Sequence, residues 1–190
     1  EIDVKAEIQS LVCSPQTQQF ITKNLEGKAR EISPILTRLE QVGAQGNVRY
    51  TQQTLTTEMN ISTTLGKVNV EGKLIGGNDV DTKVSIDNLN LGKLLAGSAE
   101  KTLQNLSMTV NAKGKIKAED KRPDLIVNGT IHELILKEYP YQEIPFSGHC
   151  ARNEYGLQLH HNDPNAQLAV QSLLHLGEYN KRLYCNVKAK

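Results

Sequence analysis

Tryptophan is absent from this chain of 190 residues, phenylalanine occurs twice, and aromatic residues amount to 4% of it. Proteins stack on sugars and bases with flat aromatic platforms, so the scarcity weakens both ligand classes and leaves an apolar surface that is mostly aliphatic. An excess of one charge is lacking as well. The formal net charge of +1 comes from 22 Lys and Arg against 21 Asp and Glu, dispersed along the chain. Phosphate binding leaves a clustered basic footprint, and without one no nucleic-acid partner is expected. No apolar run reaches the roughly 18 residues of a membrane-spanning helix, and no charged-then-apolar signal segment opens the chain.

Catalytic grammar is equally thin. No G-x-S-x-G elbow occurs, and Gly76-Gly77 lacks the Lys-Ser or Lys-Thr of a phosphate loop. Five histidines are present: His132, His149, His160, His161 and His175. His160 and His161 are adjacent, so on a strand they point to opposite faces and do not share a metal. The side chains of Ser147, His149 and Cys150 diverge for the same reason. Asp79, Asp81, Asp87, Asp124 and Asp163 sit near turns, where acidic residues cap the backbone. Three glycosylation sequons, at Asn60, Asn105 and Asn128, matter only in a secreted eukaryotic protein. Cys13, Cys150 and Cys185 are an odd set without CxxC spacing, which leaves at least one thiol free. Cys150 and Cys185 fall in alternating stretches and read as small buried hydrophobes. No enzyme activity, metal or cofactor is expected.

What the chain has is alternation. Residues 2 to 12 place Ile2, Val4, Ala6 and Ile8 on one side of a strand. Ser14-Pro15 and Ser33-Pro34 each combine a capping hydroxyl with a proline suited to the first helical turn. Phe20, Ile21, Leu25 and Ala29, then Ile35, Leu36, Leu39 and Val42, follow at helical spacing up to Gly43. From Gly46 onward the period is two: Val48 and Tyr50; Leu55, Met59 and Ile61; Val68, Val70 and Leu74; Val80, Val84 and Ile86. Asp87 to Ser98 breaks the pattern and reads as a turn or helical loop that drops leucines onto the core. Alternation returns from Ser107 to Ala118 and again from Leu125 to Ile131. It then runs through Leu134, Leu136, Ile144, Phe146, Gly148 and Cys150 to Tyr155, Leu157, Leu159, Leu168, Val170, Leu174 and Leu176. Turns are expected at Tyr139-Pro140-Tyr141, Arg152-Asn153-Glu154 and Asn162-Asp163-Pro164-Asn165.

The expected fold is mainly β with a short helical segment: an elongated, curved antiparallel sheet, trough-like, with helices near residues 15–42 packed on it or capping it. Residues 1–190 read as one β-rich section of something longer, with a helical insertion at 14–42 and a long-strand meander at 46–190. Both ends already read as strand.

One order of motifs is more specific. Asp87-Asn88-Leu89-Asn90-Leu91-Gly92-Lys93-Leu94-Leu95 precedes Gly129-x-Ile131-x-x-Leu134, Tyr139-x-Tyr141-x-x-Ile144-x-x-x-Gly148 and Asp163-Pro164-Asn165. Over residues 46–177 this order resembles the repeating region of the TamB proteins, the translocation and assembly module subunit of the AsmA-like superfamily, in its Bacteroidetes-type form. The resemblance implies a periplasmic, trough-shaped body on an inner-membrane anchor outside this chain. It also implies phospholipid acyl chains as cargo and an Omp85-type outer-membrane barrel as partner, and it brings no catalytic residues. By inward parity, Val84, Ile86, Met108, Val110, Val127, Ile131, Ile144, Phe146, Leu157, Leu159, Leu168 and Val170 would then line the groove. The alternative reading is a closed-core β-rich binding or adhesion module that recognises protein or glycan through its loops.

Overall fold

A computed structural model describes residues 2–23, 33–116, 123–151, 153–163, 166–176 and 181–189. Eleven strands follow one another: β1 (Asp3–Cys13), β2 (Val42–Thr51), β3 (Thr54–Thr63), β4 (Gly66–Ile75), β5 (Asp79–Asn90), β6 (Leu103–Ile116), β7 (Pro123–Leu136), β8 (Tyr139–Ala151), β9 (Glu154–Asp163), β10 (Ala166–Leu176) and β11 (Lys181–Ala189). Each pairs antiparallel with its sequence neighbours, giving a single sheet in the order β1 to β11. The sheet is open, with β1 and β11 at its edges. At about 4.8 Å per strand it extends roughly 48 Å across the strands.

Among the described residues four short helices lie between strands: α1 (Pro15–Lys23), α2 (Ser33–Arg38), α3 (Leu91–Leu95) and α4 (Ala99–Thr102). They gather at one end of the strands, where β1 and β5 finish and β2 and β6 begin. The Ser14 hydroxyl accepts the Thr17 backbone N–H at 3.3 Å, which is the cap that Ser14-Pro15 announces. The Arg38 guanidinium donates to the Leu94 and Leu95 carbonyls, at 3.0 and 3.3 Å, and so ties α2 to the C-terminal end of α3. The Thr64 hydroxyl donates to the Leu39 carbonyl at 3.1 Å, and the Gln18 amide donates to the Glu40 carbonyl. These bonds hold the helices on the strand ends, so they cap the sheet. The stretch read as a turn or helical loop begins as strand, since β5 runs to Asn90; of its leucines Leu89 is buried, Leu91 and Leu94 are half-buried and Leu95 is exposed. Leu65, whose carbonyl accepts the Asn90 N–H, is buried as well.

Several local expectations change. Val42 to Gly46 is strand, because Val42 pairs with both Cys13 and Thr63; two ladders outweigh a helical spacing carried by a few residues. Leu25, Gly27, Ala29, Lys117, Ala118, Arg152, Pro164 and Asn165 lie outside the described residues. Tyr139-Pro140-Tyr141 is part of β8, and the turn before it is Lys137-Glu138, both at positive φ (50° and 67°), the signature of a tight hairpin. Pro140 and Pro145 are tolerated because β9 pairs with β8 only from Phe146 onward, so neither proline owes a hydrogen bond on that side. Cys185 is exposed, not buried, because it lies on the edge strand β11; Cys13 and Cys150 are half-buried, and all three thiols are free.

The molecule exposes 13312 Å². A compact monomer of 21.1 kDa would expose roughly 9,000 Å². The excess follows from having one layer: among the described residues the buried hydrophobic side chains are Leu65, Leu89 and Ile144, and none is less than 2% exposed. The closed core of the alternative reading is therefore missing from the described residues.

Candidate apolar groove

Because paired residues on neighbouring strands share a face, the register converts alternation into rows that cross the sheet. One row runs Ile8, Gly46, Met59, Val70, Val84, Val110, Gly129, Phe146, Leu159, Val170, Val187, one residue from each strand. It holds five of the twelve residues named from sequence: Val84, Val110, Phe146, Leu159 and Val170. The next row brings Ile61, Val68, Ile86, Met108, Ile131 and Ile144 together across β3 to β8. On β10 Leu168 stands beside His161, two residues along from Leu159 and thus on the same side. On the other flank Val127, Gly148 and Leu157 are successive partners. All twelve residues thus share one face.

That face is only partly shielded. Ile144 is 5% exposed and Leu157 is 42% exposed, while the other ten are half-buried. No second layer covers them among the described residues, so the partial burial comes from neighbouring side chains on the same face of the sheet. The outer face carries the polar residues between them, such as Lys83, Asn111, Asn128 and Gln158, all exposed. The strip is thus several residues wide on one face of the sheet.

Sequence alternation alone left out two parts of the strip. The first is its extension through Val48, Met59, Val68 and Val70 into β2, β3 and β4, legible as alternation but not assigned to a groove. The second is an aromatic cluster at one end. The Tyr139 and Tyr141 rings meet edge-on at 4.8 Å, and Tyr141 meets His161 at 5.5 Å. His161 is 6% exposed, and its Nε2 has no partner among the described residues. It is in phase with Leu157 and Leu159, which was the available signal. His160, in the opposite phase, is exposed. The Tyr139 hydroxyl donates to Asp163 at 3.2 Å.

On the back of β1 and β2, two Arg49 hydrogen bonds, at 3.1 and 2.6 Å, hold Asp3 below its ordinary range and raise Arg49 in turn. Among the described residues no helix is long and apolar enough to cross a membrane.

No family model, curated protein or solved structure matches this chain. The case for a function therefore rests on the face itself.

Proposed function

We propose that this chain is a section of an envelope-spanning protein of the TamB, AsmA-like type, and that its apolar face shields phospholipid acyl chains from water. The observation that carries the reading is the uncovered strip: apolar rows crossing an open sheet with no layer packed on them among the described residues. Contiguous exposed apolar surface of that extent is a liability for a protein with nothing to put on it. At about 25 cal/mol per Å² of apolar surface removed from water, an acyl chain laid along the rows is held without any specific hydrogen bond. Its head group stays at the open mouth in solvent. Such a strip discriminates poorly among acyl chains, because aliphatic contact is non-directional.

The same reading places the chain in the periplasm, with the anchor and the contact to an Omp85-type barrel, which assembles outer-membrane proteins, in other parts of the parent protein. The motif order from Asp87 to Asn165 supports it. The test is to purify the chain from cells without detergent, extract it, and identify bound lipid by mass spectrometry, with a fluorescent fatty acid titrated in parallel. Phospholipid in the extract and saturable dye binding are the expected results. An empty extract together with no dye binding overturns the proposal.

A further inference from the structure

The back of the sheet holds a second surface, unrelated to the lipid reading. On β7 to β11 the register lines up Asn128, Ser147, Gln158, Gln171 and Asn186, each the direct partner of the next. Asn111 of β6 pairs with Asn128 and extends the line by one strand. The amides are exposed. Neighbouring members stand about 4.8 Å apart, the strand spacing, and every amide offers both donors and an acceptor.

Beside this polar line runs an apolar one. Ile126, His149, Gly156, Leu173 and Tyr184 are successive partners on the same back face. Ile126 is 63% and Tyr184 58% exposed. Gly156 makes a gap in this line, and the His149 ring lies over it where any side chain at 156 would collide. Glu154 holds that ring, with Oε1 3.1 Å from His149 Nε2. The two lines border an open depression of about 980 Å³.

Its lining contains no Asp, Glu, Lys or Arg, in a chain that is 23% charged. Another depression on the same face, across β1 to β5, is lined by Lys5, Arg49, Glu58, Glu71, Asp81 and Lys83 among others. Neutrality is thus local to the lining of this depression, which Asp124, Glu154, Arg182 and Lys188 border on the same face. A ligand that suits it is uncharged, extended across several strands, apolar on one side and rich in hydroxyls or amides on the other, with a repeat near the strand spacing. A β-linked pyranose chain has these properties: C–H ring faces, hydroxyl edges, and one sugar per step of about a strand width.

We propose that the back of β7 to β11 binds a neutral β-1,4-linked polysaccharide, its polar edges on the Asn128–Asn186 line and its ring faces on Leu173 and Tyr184. With a single tyrosine as platform, hydrogen bonding and not stacking carries the affinity. The scarcity of aromatics in the chain therefore does not exclude this ligand.

The test is an NMR titration of the chain with cellohexaose and, separately, with chitohexaose, which tells a bare glucan from an N-acetylated one. Shifts confined to β7–β11 with at least one of the two are expected, together with a loss of affinity of at least tenfold in Gln158→Ala/Gln171→Ala. Tyr184→Ala, on an edge strand, gives a second reading if the double variant loses its β spectrum. Lys73→Ala, on the charged half of the same face, should leave the affinity unchanged. No shifts with either sugar up to several millimolar, or binding that neither the double variant nor Tyr184→Ala weakens, overturns the proposal.

Discussion

His132 on β7 and Glu143 on β8 face each other with Nδ1 and Oε1 3.3 Å apart, at the level where both strands change parity. On β7 the apolar positions switch from Gly129 and Ile131 to Leu134 and Leu136; on β8 they switch from Tyr139 and Tyr141 to Ile144 and Phe146. The ladder keeps its register across that level, with Ile131 opposite Ile144 and Glu133 opposite Gln142. Against β6 the extra residue of β7 registers as a shift between Ser107 and Met108, and a second shift lies between Leu103 and Leu106, nearer the start of β6. His132 Nε2 also lies 3.0 Å from Thr109 Oγ1, which fixes the bulge to β6. Matching bulges keep the apolar face continuous where a simple period-two reading would turn it over.

Glu143 takes a left-handed conformation, φ 50°, at a cost of about 1–3 kcal/mol for a residue other than glycine. Glu143→Gly should therefore change stability by less than about 1 kcal/mol, since relief of strain offsets the loss of the exposed His132 contact, worth about 0–1 kcal/mol. Glu143→Val, which suits that geometry worst, should cost about 1–3 kcal/mol. Urea unfolding measures both, and equal losses would show that the backbone geometry is not what matters at this position.

Gly129 lies beneath the Phe146 ring of the neighbouring strand, where a β-carbon would collide with the ring and with the Thr109 carbonyl. Gly129→Ala should destabilise the sheet by about 1–3 kcal/mol. Combined with Phe146→Ala, the loss should fall short of the sum of the two single losses, because removing the ring removes part of the collision. Strict additivity in denaturant titrations would refute the contact.

Val110 and Ile131 are both half-buried on the face that carries the open strip. Val110→Asp or Ile131→Asp should leave the β circular-dichroism spectrum in place while weakening fatty-acid binding at least tenfold, about 1.4 kcal/mol. Unfolding of either variant would mean that these positions pack as a closed core.

Asp3 is held below its ordinary value of 3.8 by its hydrogen bonds from Arg49, then from Thr51. A carboxyl whose folded pKa is depressed adds stability above its unfolded pKa and loses it as pH falls through the folded one. The docking of β1 on β2 should thus weaken only in strong acid, below the normal aspartate range. An NMR titration should place the Asp3 midpoint below 3.8, and Arg49→Ala should move it upward; no movement would mean that the pair does not form in solution.

Much of this molecule was legible in its residues. Alternation with period two fixes which side chains share a strand face, so the twelve strip residues could be named from parity and fall on one side of one sheet. Ser14-Pro15 marked a helix start for the local reason that a hydroxyl caps the free N–H groups. Three things needed the assembled sheet. The bulges at His132 and Glu143 were invisible as such, because an extra residue in a strand looks like a turn until its partner is known. The strand state of Val42 was decided by pairing with Cys13 and Thr63, contacts 29 and 21 residues away. The neutral line from Asn128 to Asn186 exists only through register: its members are scattered over 59 positions of sequence and share no local pattern. Local chemistry sets the face of each strand, whereas pairing between distant segments sets which faces become a surface.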